Sequence, residues 1–197
     1  FDKYTLEAMR QPLEDGVVTI SRLSGSITYP AEIMLILTGN PCPCGYRTDD
    51  TKKCTCSYNE IHNYLNKLSG PLLDRIDLCV EAMPVRYKEL DSIGSGEKSS
   101  QIRERVIHAK DIQLKRYKGY KIFSNSQLSG ALIKKFCKLD PEGNELLKSA
   151  FEQLNLSARA YNRILKVART IADLEGSTDI KSVHIAEAIQ YRVTSFR

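Results

Sequence analysis

Four cysteines lie close together in this sequence. Cys42 and Cys44 occur in the stretch LTGNPCPCG, and Cys54 and Cys56 follow in CTC. Four thiolates bind zinc tetrahedrally in structural sites, and such a set leaves no open position for catalysis. Each pair is separated by a single residue instead of the usual two to four, and His62 stands nearby as a substitute ligand. The pattern predicts a structural zinc site, with unligated thiols or oxidisable pairs as alternatives.

Asn40 directly precedes these cysteines, at the end of the apolar segment EIMLILTG over 32–39. A continuous apolar run predicts a central strand that is covered on both faces. Ligands of open α/β sheets bind beyond the carboxyl ends of the strands, where an amide can orient a water molecule or contact a phosphate. Asn before Pro41 is also typical of a turn, and spacing alone favours that plainer interpretation.

Arg75 lies in GPLLDRIDLCVEA, between a predicted short helix and a predicted strand. Its neighbours Asp74 and Asp77 suggest a local surface ion pair, which contributes at most about 1 kcal/mol. The alternative is a guanidinium that reaches a phosphate bound to a neighbouring subunit, because the planar guanidinium matches phosphate geometry.

A basic stripe occurs on a predicted helix over 157–176. At about 100° per residue, Arg159, Arg163 and Lys166 fall together on the face opposite the apolar side chains. A solvated basic face is the usual meaning of such a stripe. An anion site near the start of the helix is the functional alternative, since the helix dipole favours negative charge there.

The elements that position these residues change in character along the chain. The first part alternates helices and strands, and the second part is helical. We expect an α/β domain over 1–92 and an all-α domain over 93–197, with the polar Gly/Ser-rich stretch 91–100 between them. The predicted elements are a helix over 4–14, a β-hairpin over 17–29, strands over 32–39 and 78–85, and helices over 58–69, 100–117, 126–137, 141–154, 157–176 and 181–192.

Composition limits the classes of protein to which this chain can belong. The 197 residues carry a net charge of +5 and 42% hydrophobic residues, which is ordinary for a globular chain and compatible with nucleic-acid binding. No apolar run approaches the length of a membrane span, and no secretory signal opens the chain. Six cysteines without such a signal predict a reducing compartment, and hence the cytoplasm. We expect no membrane partner.

The blocks LEAMRQPLEDGVVTISR, NPCPCG, SGPLLDRIDL and LSARAYNRILKVARTIADLEG occur here in an order that resembles the magnesium-chelatase-like AAA+ ATPases of bacteria. Within them, the sequence is most similar to the ComM/YifB family. The resemblance covers nearly the whole chain. It implies the later part of a P-loop NTPase core followed by a helical lid. The Walker A loop and the Walker B acidic pair would precede residue 1, so we expect this chain alone not to hydrolyse ATP.

The resemblance also implies roles for single residues. Asn40 matches sensor 1, which orients the attacking water, and Arg75 resembles the arginine finger that acts on ATP of the adjacent subunit. Arg159 resembles sensor 2, which contacts ATP in its own subunit. The hairpin over 17–29 matches a pore-facing insertion where Arg22 would contact DNA, although a solvated tip is an equal alternative.

For the whole protein, the resemblance implies a homo-hexamer that uses ATP and Mg²⁺ to remodel branched DNA in recombination during natural transformation. Two alternatives remain at this point. One is a chelatase-type motor that acts on a protein partner. The other is a zinc-stabilised nucleic-acid-binding module without enzymatic activity.

Overall fold

The computed structural model describes residues 2–82 and 96–192. These residues divide into two compact units. The first unit comprises 2–76 and 81–82, and the second comprises 77–80 and 96–192. The predicted domain boundary between residues 92 and 93 lies outside the described residues.

The first unit begins with two short helices. Helix α1 (Lys3–Ala8) is capped by Asp2, whose carboxylate accepts the Thr5 amide at 2.7 Å. Helix α2 (Arg10–Asp15) starts after Met9 and ends at Gly16, which has the left-handed φ of 64° that favours glycine. The single helix predicted over 4–14 is therefore a pair of helices.

The predicted hairpin is confirmed. Strands β1 (Val17–Arg22) and β2 (Gly25–Pro30) pair antiparallel through a two-residue turn. Hydroxyl pairs line one face, where Thr19 meets Thr28 at 3.0 Å and Ser21 meets Ser26 at 2.8 Å. Apolar side chains line the other face, and those of Ile20, Ile27 and Tyr29 are about half exposed.

The strands predicted over 32–39 and 78–85 are not found in the part of the chain that the structure describes. Residues 32–39 have no strand pairing, and neither do 78–82; the rest of the predicted strand 78–85 lies outside the described residues. Met34 and Ile36 are mainly exposed instead of buried. The reason is physical: a central strand needs neighbours for its backbone hydrogen bonds, and the only sheet in the described part of the chain is the hairpin, whose strands pair with each other. Helices combined with a small antiparallel sheet still fit the α/β class.

Two further helices complete the first unit. Helix α3 (Tyr58–Leu65) starts with a capping box, in which Ser57 and Glu60 satisfy each other's backbone amides. Helix α4 (Gly70–Leu73) has Ser69 as its cap and carries the fully buried Leu72. Leu72 and Cys42 are the only fully buried hydrophobic residues among the described residues of this unit, so its apolar core is small.

The second unit is built from helices that follow one another closely. They are α5 (Ser99–Arg116), a 3₁₀ turn (Asn125–Gln127), α6 (Gly130–Phe136), α7 (Pro141–Gln153), α8 (Ala158–Glu175) and α9 (Ser182–Gln190). Helix α8 is the centre of the core, since Ile164, Ala168 and Ala172 are completely buried along one face. No helix in the described part of the chain is long and apolar enough to cross a membrane.

A buried carboxylate links three parts of this unit. Asp173 of α8 is 0% exposed and accepts bonds from Arg116 of α5 at 2.8 Å and from Asn125 of the 3₁₀ turn at 2.9 Å. Arg169, one turn earlier on α8, donates to the same carboxylate at 3.1 Å. The hydroxyl of Tyr117 donates to Asn125 at 2.6 Å. These bonds offset the cost of burying the charge, because each group has an oriented partner.

The same network fixes the end of α8. Arg169 also donates to the carbonyl of Thr178 at 2.8 Å and to that of Ser177 at 2.7 Å. These carbonyls belong to the loop after Gly176, which ends the helix at a φ of 77°. The turn between α8 and α9 is thus held by a side chain from inside the helix.

We expect Asp173→Ala to destabilise the second unit by roughly 3–5 kcal/mol, because it leaves two arginines without their buried carboxylate. Urea unfolding followed by helical circular dichroism measures this effect. The control is Asp111→Ala, which removes an exposed carboxylate from α5. Equal stability of the two variants would contradict the role given to Asp173.

Candidate metal centre and nucleotide-site residues

The structure brings the four predicted cysteine ligands together. The sulfur atoms of Cys42, Cys44, Cys54 and Cys56 all lie within 4.8 Å of one another. The Sγ–Sγ distances are 3.4 Å between Cys42 and Cys44, 3.7 Å between Cys42 and Cys54, and 3.5 Å between Cys44 and Cys54. A tetrahedron with Zn–S bonds of about 2.3 Å has edges of about 3.8 Å. The cluster therefore has the size of a tetrahedral zinc site.

The backbone explains how such close pairs fit. The amide of Gly45 donates to the carbonyl of Cys42 at 3.1 Å, which closes a tight turn, and Gly45 adopts a left-handed φ of 85°. The amide of Cys44 donates to the sulfur of Cys56 at 3.4 Å. A non-glycine residue would be strained at position 45, so the sequence CPCG favours this turn.

The pKa values of two of the thiols are shifted in opposite directions. Hydrogen bonds from the backbone amides of Tyr46 and Thr55 lower the pKa of Cys44 to about 5. Burial raises the pKa of Cys56 to about 12. Thiols this close cannot all ionise by themselves, because like charges repel. A divalent cation removes that conflict, since it stabilises every coordinated thiolate.

Other candidate ligands lie apart from this cluster. His62 is exposed, stacks on Tyr58 and shares a hydrogen bond with Asn66 at 3.0 Å, so it is not a member of the cluster. Cys79 and Cys137 belong to the second unit. The four predicted cysteines therefore form a complete ligand set.

Asn40 lies beside the cysteine cluster and is exposed. A Cβ atom on Gly45 would be 3.8 Å from Asn40 Nδ2, so the carboxamide lies against the turn that carries Cys44. The described contacts are compatible with the turn interpretation of Asn40. They also leave its side chain accessible to a ligand.

Arg75 is held inside the first unit. Its guanidinium forms an ion pair with Glu14 and donates to the carbonyl of Pro71 at 2.7 Å, and its side chain is only 11% exposed. Glu14 of α2 is therefore an ion-pair partner of Arg75, in addition to the neighbours Asp74 and Asp77 that the sequence suggested as candidates. Sequence reasoning missed Glu14, because no periodic pattern connects residues in separate helices.

The basic stripe of α8 is largely engaged within the second unit. Arg163 donates to Asp77 at 2.8 Å, and Lys166 donates to the carbonyl of Ser126 at 2.8 Å. Burial lowers the pKa of Lys166, and the nearby Arg163 adds to that effect. A wholly solvated face, the plainer of the two predictions, is therefore wrong for these two residues. Arg159 is exposed in the first turn of the helix, whose Ser157 cap accepts the Ala160 amide at 3.1 Å.

Arg22 is the last residue of β1 and is exposed next to the turn. It pairs with Gly25, which has no side chain. Residues 18, 20 and 22 point to the same face of a strand, so Arg22 ends the apolar face of the hairpin and not its hydroxyl face. The sequence predicted the exposed position but not this grouping.

Two protein-family models match successive parts of the chain. The model described as magnesium chelatase, subunit ChlI, matches residues 1–90, and the one described as magnesium chelatase, subunit ChlI C-terminal, matches 96–192. Together they cover almost the whole sequence, including the cysteine cluster and the helices of the second unit.

Curated proteins show the same relationship. The chain is 43% identical over 193 residues to competence protein ComM of Haemophilus influenzae and 39% identical to the uncharacterized protein YifB of Escherichia coli. An uncharacterized protein of Mycobacterium bovis is 38% identical over 192 residues. Each alignment covers 98% of this chain but only 37% or 38% of the relative. The chain therefore belongs to the magnesium chelatase ChlI family, among the ComM- and YifB-like proteins.

Proposed function

We propose that this chain is part of a hexameric AAA+ ATPase that remodels branched DNA during recombination in natural transformation. The observation that carries this proposal is the 43% identity to competence protein ComM over 98% of the chain. Because the chain spans little more than a third of that relative, the activity is proposed for the longer protein. The proposed location is the cytoplasm.

In this proposal, the first unit is the later part of a P-loop NTPase core and the second unit is the lid. The apolar segment 32–39 becomes a central strand when strands of the longer protein flank it. The exposure of Met34 and Ile36 supports this, since both side chains suit a covered sheet better than water.

ATP and Mg²⁺ bind between subunits in this proposal, and the phosphate-binding motifs belong to the longer protein. Asn40 orients the attacking water near the γ-phosphate, Arg75 stabilises the charge on ATP of the adjacent subunit, and Arg159 contacts ATP in its own subunit. The accessible carboxamide of Asn40 and the exposed start of α8 at Arg159 support these roles. To act in the adjacent site, Arg75 must exchange Glu14 for a phosphate, which the guanidinium can bind with the same bidentate geometry as a carboxylate.

We also propose that the cysteine cluster holds one structural zinc ion. Its four sulfurs match the softness and tetrahedral geometry that zinc prefers. The hairpin contacts DNA through Arg22, whose exposed cation suits a phosphate, and the net charge of +5 agrees with such a partner.

A second candidate function keeps the ATPase but replaces DNA with a protein partner, as in a magnesium chelatase. The family models that match both units favour this candidate, because they are described by that activity. A zinc-stabilised nucleic-acid-binding module is the third candidate, and the cysteine cluster is its support.

The first experiment is steady-state ATP hydrolysis by the full-length protein, with and without branched DNA at fixed salt. We expect DNA to stimulate hydrolysis, because a DNA motor couples turnover to its substrate. Linear duplex DNA of equal length is the control. Basal hydrolysis without stimulation would favour the protein-partner candidate, and no hydrolysis at all would contradict both motors.

Replacing the proposed arginine finger tests the catalytic role. Arg75→Ala should lower kcat by about 10³-fold or more and leave ATP binding intact, because the guanidinium acts on transition-state charge. Arg103→Ala is the matched control, since it removes an exposed arginine from α5. If Glu14→Ala lowers kcat by the same factor, the ion pair between Arg75 and Glu14 has a structural role instead. Near-normal kcat in Arg75→Ala would contradict the role of Arg75 as an arginine finger.

Metal content tests the zinc site directly. Reduced protein purified without chelator should contain one zinc per chain by elemental analysis, and Cys56→Ser should lose most of it because three thiolates bind more weakly than four. Cys79→Ser removes a thiol from the second unit and should keep the full content. Zinc well below one equivalent in the reduced wild-type protein would contradict this prediction.

A further inference from the structure

We propose that metal binding by the four cysteines acts as a clamp that links the Asn40 segment to the start of α3. The clamp is defined by Asn40, the cysteine cluster and Ser57. That metal binding orders the Asn40 segment is inferred from the geometry of the first unit alone. Its effect on ATP hydrolysis rests on the proposed function of Asn40.

The covalent path from Asn40 to the metal ligands is short and stiff. Only Pro41 separates Asn40 from Cys42, which is 0% exposed. The proline ring locks its own φ and restricts the conformation of the residue before it. Fixing the sulfur of Cys42 therefore also restricts the backbone of Asn40.

The second contact is through space. The turn from Cys42 to Gly45 places Gly45 beside the Asn40 carboxamide, since a Cβ on Gly45 would be 3.8 Å from Asn40 Nδ2. Cys44 lies within this turn, so two of the four ligands hold the surface on which Asn40 rests. The carboxamide position then depends on the position of both sulfurs.

The other pair of ligands ties this turn to a helix. Cys56 is followed directly by Ser57, the cap of α3, whose hydroxyl and amide both contact Glu60 at 2.8 Å. The Cys44 amide reaches the Cys56 sulfur at 3.4 Å. A metal ion bound by both pairs would join the Asn40 segment to the first turn of α3.

The first unit offers little else to hold this loop. Cys42 and Leu72 are its only fully buried hydrophobic residues in the described part of the chain, and the stretch between the cysteine pairs is mostly exposed and polar. Where an apolar core is small, metal coordination supplies folding free energy that packing does not. We therefore expect loop order to depend on the metal.

Hydrogen–deuterium exchange of the 197-residue chain tests the clamp without any nucleotide. Zinc-loaded protein is compared with protein treated with a chelator and a reductant. We expect amides of 42–46 and 54–60 to exchange at least ~10-fold faster after zinc removal, while those of α8 stay protected. Added zinc should restore the slow exchange. In Cys56→Ser, these amides should exchange as fast as in zinc-free protein. In Cys56→His they should stay protected, because imidazole replaces the thiolate as a ligand. The control Cys79→Ser should show the exchange rates of the wild type.

Unchanged exchange in 42–46 after verified zinc removal would overturn the clamp. Loss of protection in α8 as well would also overturn it, because the metal would then stabilise the whole chain and not this loop. The functional arm uses the full-length protein: Cys56→Ser and Asn40→Ala should each lower kcat without raising KM for ATP. If exchange depends on zinc but the kcat of Cys56→Ser equals that of the wild type, the link between the clamp and hydrolysis is overturned. If the wild-type protein does not hydrolyse ATP at all, the proposed function is contradicted and the exchange result still tests the clamp.

Discussion

A polar group that leaves water must find a partner, and this constraint organises both units. Asp173 shows it most clearly, because a completely buried carboxylate receives bonds from Arg116, Asn125 and Arg169. Arg116 and Asn125 lie 57 and 48 residues away from Asp173 along the chain, whereas Arg169 precedes it by one turn of the same helix. Burial of one charge thereby fixes how these elements meet, in addition to the apolar packing around α8.

The first unit meets the same constraint with different chemistry. It has few fully buried apolar side chains among its described residues, and its polar groups that are withdrawn from water include the cysteine thiols and the Arg75 guanidinium. The guanidinium is matched by Glu14, and the sulfurs are matched by backbone amides and by one another. The guanidinium belongs to Arg75 itself, and the thiols lie beside Asn40, so both arrangements involve residues for which we propose contacts at the ATP site.

Local signals in the sequence predicted much of this structure. Ser157 and Gly176 bound α8 as expected, and the β-branched residues of 17–22 form the first strand of the hairpin. The cysteine cluster was also predictable, since two closely spaced pairs of cysteines joined by a short loop are typical of zinc ligands. These features depend on neighbours along the chain, where propensity and capping operate.

The features that the sequence did not predict depend on distant partners. Apolar periodicity over 32–39 indicates a covered strand, but pairing requires other strands, and the described residues supply none for it. The stripe of Arg163 and Lys166 was interpreted from helical geometry alone, which does not show that Asp77 and Ser126 approach it. The partner of Arg75 was hidden for the same reason, because Glu14 lies in another helix.

The hairpin register has a consequence for how this arm could change through evolution. Its two faces differ in chemistry, with a row of hydroxyls on one side and an apolar row that ends in Arg22 on the other. Since side chains alternate along a strand, inserting or deleting one residue within β1 would exchange the two rows beyond that point. Variation in the arm is therefore expected to occur in steps of two residues or at the turn, where length can alter without reversing its faces.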